Sequence, residues 1–117
     1  MDLKRNSLRK EMQAQYRERE IIGGVYYIEN VSINKILLLS TTELAGDRNR
    51  FEFSKKTGSC INMKLQSDWA QYGSEKFVFV ILEELKKGAS QTDMEFKEDI
   101  AMLKDLWLDK LSEKAFY

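Results

Sequence analysis

Three short apolar runs, two of them rich in β-branched and aromatic residues, limit what this chain can fold into. Val25-Tyr26-Tyr27-Ile28, Lys35 to Ser40 and Phe77 to Leu82 each have the composition and length of a strand. The polar turn Asn30-Val31-Ser32-Ile33-Asn34 joins the first two, so they are expected to form an antiparallel hairpin. The second and third runs are almost wholly apolar, which predicts buried strands. Three strands cannot shield two apolar faces by themselves, so the chain must also supply helices.

The spacing of apolar residues supplies them. Leu3, Leu8, Met12 and Tyr16 form a narrow stripe on an otherwise charged segment, which predicts a helix over residues 2–20. Gly23-Gly24 then breaks the pattern before the first strand. Residues 47–56, stopped by Thr57-Gly58, read as a short helix. Leu65, Trp69 and Tyr72 give a better one over Asn62 to Tyr72, with Gly73 as its stop. Thr92-Asp93-Met94-Glu95 is a capping box, and Phe96, Ile100, Leu103, Trp107 and Leu111 follow it at helical spacing. The order is helix, strand, strand, helix, helix, strand, helix. It predicts an α+β domain over residues 21–117, a small antiparallel three-stranded sheet flanked by helices, with an accessory helix over residues 1–20.

Composition narrows the chemistry. The 117 residues include no histidine, no proline and one cysteine, Cys60. No imidazole is available for a Ser-His-Asp or Cys-His set, and one thiol cannot make a structural zinc site or an intrachain disulfide. A lone thiol fits a reducing compartment. No apolar run approaches a membrane span and residues 1–12 hold no apolar leader core, so the expected location is the cytoplasm. The balance of 19 basic and 19 acidic residues hides an asymmetry. Residues 1–76 hold 13 Lys and Arg against 10 Asp and Glu, and the remainder is acidic. A mildly basic front is compatible with a nucleic-acid partner.

Specific residues then carry a resemblance. Gly24-Val25-Tyr26, ten residues, and Leu37-Leu38-Leu39 resemble the signature of the GIY-YIG nuclease family with its second half altered. Asn30, Lys35, Ser40, Lys64-Leu65-Gln66, Trp69, Tyr72-Gly73, Phe77-Val78-Phe79, Ile81-Leu82-Glu83-Glu84 and Trp107-Leu108 are similar to the rest of that pattern, over roughly residues 23–111. The resemblance implies a GIY-YIG-like fold and phosphodiester cleavage with one divalent metal. In that chemistry two strand tyrosines and a helix arginine surround the phosphate, and a glutamate on the last helix holds the metal.

Carried over residue by residue, the machinery is incomplete. Tyr26 is retained. Leu37 replaces the second tyrosine and Leu39 the following glycine. The arginine position falls on Asp47, with Arg48 and Arg50 one and three residues later. The metal glutamate falls on Lys104. Phe51 and Cys60 stand where some members carry histidine. The candidate catalytic residues are therefore Tyr26 and Arg48. Arg48, Arg50, Lys55, Lys56 and Lys64 are the candidates for holding nucleic acid. No cofactor is expected. An active form would need Mg²⁺ or Mn²⁺ on a migrated site such as Glu98 and Asp105, with Tyr27 assisting Tyr26. The resemblance and these departures from it imply a degenerate nuclease-family domain that binds DNA or RNA with cleavage lost or much reduced. Two alternatives stay open: an active endonuclease with a rearranged site, and a protein-interaction or self-association module acting through residues 2–20.

Overall fold

The computed structural model describes residues 20–117. The helix expected over residues 2–20 lies, but for Glu20, outside them. Strand β1 runs Ile22–Asn30 and β2 Lys35–Thr41. They pair antiparallel, with Tyr26 opposite Leu39 and Ile28 opposite Leu37. The side chain of Asn30 closes the turn between them by accepting from the Ser32 N–H at 3.1 Å, and Asn34 takes the left-handed conformation at φ 54° that asparagine tolerates.

Helix α1, Leu44–Thr57, begins three residues before the sequence pattern suggests. The Thr41 hydroxyl accepts from the Glu43 N–H at 3.0 Å and turns the chain into the helix, so Gly46 lies in its first turn. Gly58, at φ 77°, ends α1 by donating to the Ser54 carbonyl. Asn62 to Leu65 form a turn rather than helix, and α2 is limited to Gln66–Tyr72. A 3-10 turn, Ser74–Lys76, leads into β3, Phe77–Lys86. Helix α3, Asp93–Lys110, opens on the expected capping box, with the Thr92 hydroxyl accepting from the Glu95 N–H and the Glu95 carboxylate accepting from the Thr92 N–H.

The α+β architecture agrees with the sequence, but the strand count needs correcting. The sheet has four strands in the order β3-β1-β2-β4, not three, and it is not wholly antiparallel. The fourth, β4 at Ala115–Phe116, pairs parallel to β2. Two residues carry no readable periodicity; β4 exists because the chain leaving α3 returns along β2. Tyr117 anchors that return. Its N–H donates to the Ile36 carbonyl at 2.9 Å and its hydroxyl donates to Asp68 at 2.7 Å. The order also explains why β3 is less buried than its sequence suggests. It is an edge strand, and only Phe77 is fully enclosed.

Gly23 and Gly24 lie inside β1 rather than before it. A Cβ on Gly23 would meet Ile100 of α3, and one on Gly24 would meet Leu44 of α1. Consecutive strand residues point to opposite faces, so α1 and α3 cover opposite sides of the sheet. On the α1 side Tyr26, Ile28, Leu37, Leu44, Phe51, Leu65, Trp69 and Phe77 form one buried cluster. Phe96 and Ile100 of α3 seal the other side. A bulge between β1 and β3 pairs Val25 with Glu83 but Tyr26 with Ile81, leaving Leu82 as the extra residue.

Candidate functional site

Tyr26 sits in the middle of the central part of the sheet, between Leu39 of β2 and Ile81 of β3. It is 5% exposed. Its ring stacks on Phe79 at 4.3 Å, and its hydroxyl reaches the first turn of α1. There it donates to Asp47 Oδ2 at 2.7 Å. The other carboxylate oxygen, Oδ1, accepts from the Thr41 hydroxyl at 3.1 Å and is ion-paired with Arg50. The end of β2, the start of α1 and the middle of β1 are thus tied through one carboxylate. Its position in the first turn of α1 also suits the positive end of the helix dipole.

The electrostatics follow. Burial, then the hydrogen bond to Asp47 and its negative charge, push the Tyr26 phenol well above its ordinary value near 10. The nearby Arg50 guanidinium opposes this only partly. The phenol is a committed donor at neutral pH, and ionising it beside a carboxylate is unfavourable. Leu37 is 5% exposed within the core cluster, and Leu39 packs against the same cluster. They occupy with hydrocarbon the wall on which the family resemblance expects a second tyrosine and a glycine. A phosphate approaching Tyr26 would meet apolar side chains and a negative charge.

The structure separates the other sequence candidates. Arg48 and Arg50 are two residues apart on α1, so their side chains leave the helix about 160° apart. Arg50 joins Asp47. Arg48 instead lines a cleft of about 310 Å³ at the end of the sheet, with Glu20, Glu43 and Glu84. Lys55 lies over the Phe51 ring at 5.6 Å. Lys56 and Lys64 are exposed, on α1 and on the loop before α2. Tyr27 points to the face opposite Tyr26, as its neighbouring strand position requires. Glu98 and Asp105 are exposed on α3, across the sheet from Tyr26. Seven residues of helix put about 10 Å of rise between them.

Among the described residues no three His, Cys, Asp or Glu side chains converge in a way that could hold a divalent metal. Lys104, at the position the resemblance gives the metal glutamate, would repel it. Sequence reasoning missed the role of Thr41 and treated Asp47 only as a loss. The available signal was the Thr41-x-Glu43 spacing just after an apolar strand, which marks a turn into a helix.

No protein-family model matches the chain, and no curated protein matches it. Solved structures do. A mutant of the catalytic domain of the intron endonuclease I-TevI is 24% identical with a TM-score of 0.56, covering 79% of this chain and 86% of that one. A second structure of the catalytic domain of the homing endonuclease I-TevI is 24% identical with the same TM-score, covering 77% and 88%. The α+β fold of this chain is GIY-YIG-like.

Proposed function

We propose that this chain is a nuclease-fold domain that binds nucleic acid and has lost strand cleavage. The observation that carries the reading is the Tyr26–Asp47 pair. Cleavage of this kind needs a group that can take a proton from water and a cation facing the phosphate. Here the tyrosine hydroxyl is a donor locked onto a carboxylate, and that carboxylate stands where a cation is required. The arginine that reaches the cluster, Arg50, pairs with the same Asp47, although most of its side chain stays in water.

Binding needs less than catalysis does. Backbone phosphates are held by cations without any reacting geometry. Exposed Arg48, Arg50, Lys56 and Lys64, with Lys55 beside them, supply such cations on and after α1. The likeness in fold to an endonuclease domain supports the same class of partner. Among the described residues no helix is long and apolar enough to cross a membrane. The cytoplasm, where a lone thiol such as Cys60 stays reduced, is the compartment this reading assigns.

The test has two parts. Plasmid, single-stranded DNA and RNA incubated with Mg²⁺ or Mn²⁺ should remain intact. Cleavage that disappears in Tyr26→Phe would refute the loss of activity. DNA or RNA should be retained at low salt and released as salt rises, and Arg48→Ala/Arg50→Ala should weaken retention. Failure to bind either polymer at low salt would sink the binding half.

A further inference from the structure

The aromatic residues of the described part of the chain are buried or half-buried with one exception. Phe53 is 66% exposed, and no other aromatic among the described residues is as open to solvent. Elsewhere lysines cover ring faces: Lys35 over Tyr117, Lys55 over Phe51 and Lys110 over Trp107. No such contact covers Phe53 among the described residues. The neighbours of Phe53 on the helix surface are the residues three and four positions away. They are Asn49 and Arg50 on one side and Lys56 and Thr57 on the other: two cations and two neutral hydrogen-bonding groups, with Arg50 also paired to Asp47 and Glu52 next in the chain. The side chain of Arg50 remains 67% exposed although it contacts Asp47.

The mount is rigid. The Thr57 hydroxyl donates to the Phe53 carbonyl at 3.1 Å, and Gly58 closes the helix end on Ser54 at 2.9 Å. Ser54, next to Phe53, is buried against the core and donates to the Phe51 carbonyl. The exposed apolar residues of α3 make the contrast. Met102 is 66% exposed, but its neighbours at three and four residues include Glu98, Asp99 and Asp105. That face would repel a phosphate chain, and the α1 face would attract one.

Resting on the nucleic-acid reading above, we propose that the Arg50–Phe53–Lys56 face of α1 is a stacking platform for an unpaired nucleobase. Phe53 takes the base by its face, and the two cations hold the phosphates on either side. A duplex keeps its base faces inside its own stack, so the platform selects single-stranded nucleic acid.

The experiment uses the full chain and fluorescence anisotropy with labelled probes of about 12 nucleotides, within the usual span of such sites. The probes are an oligothymidine, an oligouridine, an abasic strand of equal length and a duplex. Phe53→Ala should weaken binding to the two base-bearing single strands by about 5- to 150-fold. Its affinity for the abasic strand and the duplex should be unchanged. Phe53→Trp should keep or improve the affinity, which a merely structural role would not require. Lys56→Ala should weaken binding to all four probes and lower the salt slope by about one.

If the duplex binds and Phe53→Ala leaves the single strands within about twofold, phosphate binding stands and the platform is wrong. If the wild-type chain binds none of the probes, the nucleic-acid reading itself falls. If Phe53→Ala instead abolishes self-association in sedimentation while leaving every probe affinity unchanged, the residue is a protein contact and the inference is overturned.

Discussion

Replacing Asp47 by alanine removes one carboxylate and three interactions. The Tyr26 hydroxyl, on a residue 5% exposed, loses its acceptor, and Thr41 and Arg50 lose theirs. A buried donor left unsatisfied costs about 1–3 kcal/mol, and a hydrogen bond to a charged group contributes about 1.5–3 kcal/mol net. The Arg50 contact adds little because most of that side chain is in water. We therefore expect Asp47→Ala to destabilise the chain by about 3 kcal/mol, most of it from the stranded phenol. Tyr26→Phe deletes the donor instead and leaves Asp47 with Thr41, Arg50 and some solvent, so about 1.5 kcal/mol is expected. In the Tyr26→Phe background, Asp47→Ala should cost only about 1 kcal/mol more, because no stranded hydroxyl remains. The coupling in the double-mutant cycle is then about 2 kcal/mol. Urea unfolding of the four chains measures it, with the slope of the transition checked for constancy. Costs that add to within about 0.5 kcal/mol would mean that the pair is not coupled. The structural basis for calling Tyr26 a locked donor would then be refuted.

Alkaline titration tests the same cluster by another route. Tyr26 is raised above its ordinary value by burial first, and Tyr117 is pushed up to about 12 by burial and by donating to Asp68. A folded value above the unfolded one contributes stability that is fully present below pH 10 and is lost as pH rises through the folded value. Stability should therefore fall above pH 10, and less steeply in Tyr26→Phe; a profile identical to wild type would count against the shift. Asp47→Asn should lower the tyrosinate midpoint of Tyr26 while leaving it above 10, since burial remains. Gly24→Ala would drive a Cβ into the Glu83 carbonyl oxygen. A thermal melt should show a loss above about 3 kcal/mol, and a wild-type melt would mean that β1 and β3 are not so close there. Thr92→Ala removes the capping hydroxyl of α3 and should cost about 1 kcal/mol in urea unfolding; a neutral result would show that the box contributes nothing.

Local patterns were legible where local physics decides. The capping box at Thr92, the hairpin around Asn30 to Asn34 and the helix stops at Gly58 and Gly73 depend on neighbours in sequence, and the structure has each of them. Features set by distant residues were not. Gly23-Gly24 looked like a break, yet both lie in β1 because Ile100 and the Thr41 backbone approach one and the Glu83 carbonyl the other. Phe77 to Leu82 looked buried, yet β3 is at an edge, a fact of strand order that its own residues do not encode. At the candidate site the sequence showed where it departs from the pattern it resembles: Leu37, Leu39, Asp47 and Lys104. It did not say that Asp47 would turn toward Tyr26.

Composition and spacing alone determined that the chain is α+β and that it has no imidazole chemistry. Those follow from residue identity and short-range periodicity. Only the tertiary structure decided that Arg48 and Arg50 diverge, that α3 and its carboxylates lie across the sheet from Tyr26, and that a single carboxylate ties Tyr26, Thr41 and Arg50 together. The reason is that a helix turns successive side chains by about 100° and a strand reverses them. Which of them meet depends on how the elements pack, and that is a property of the whole chain.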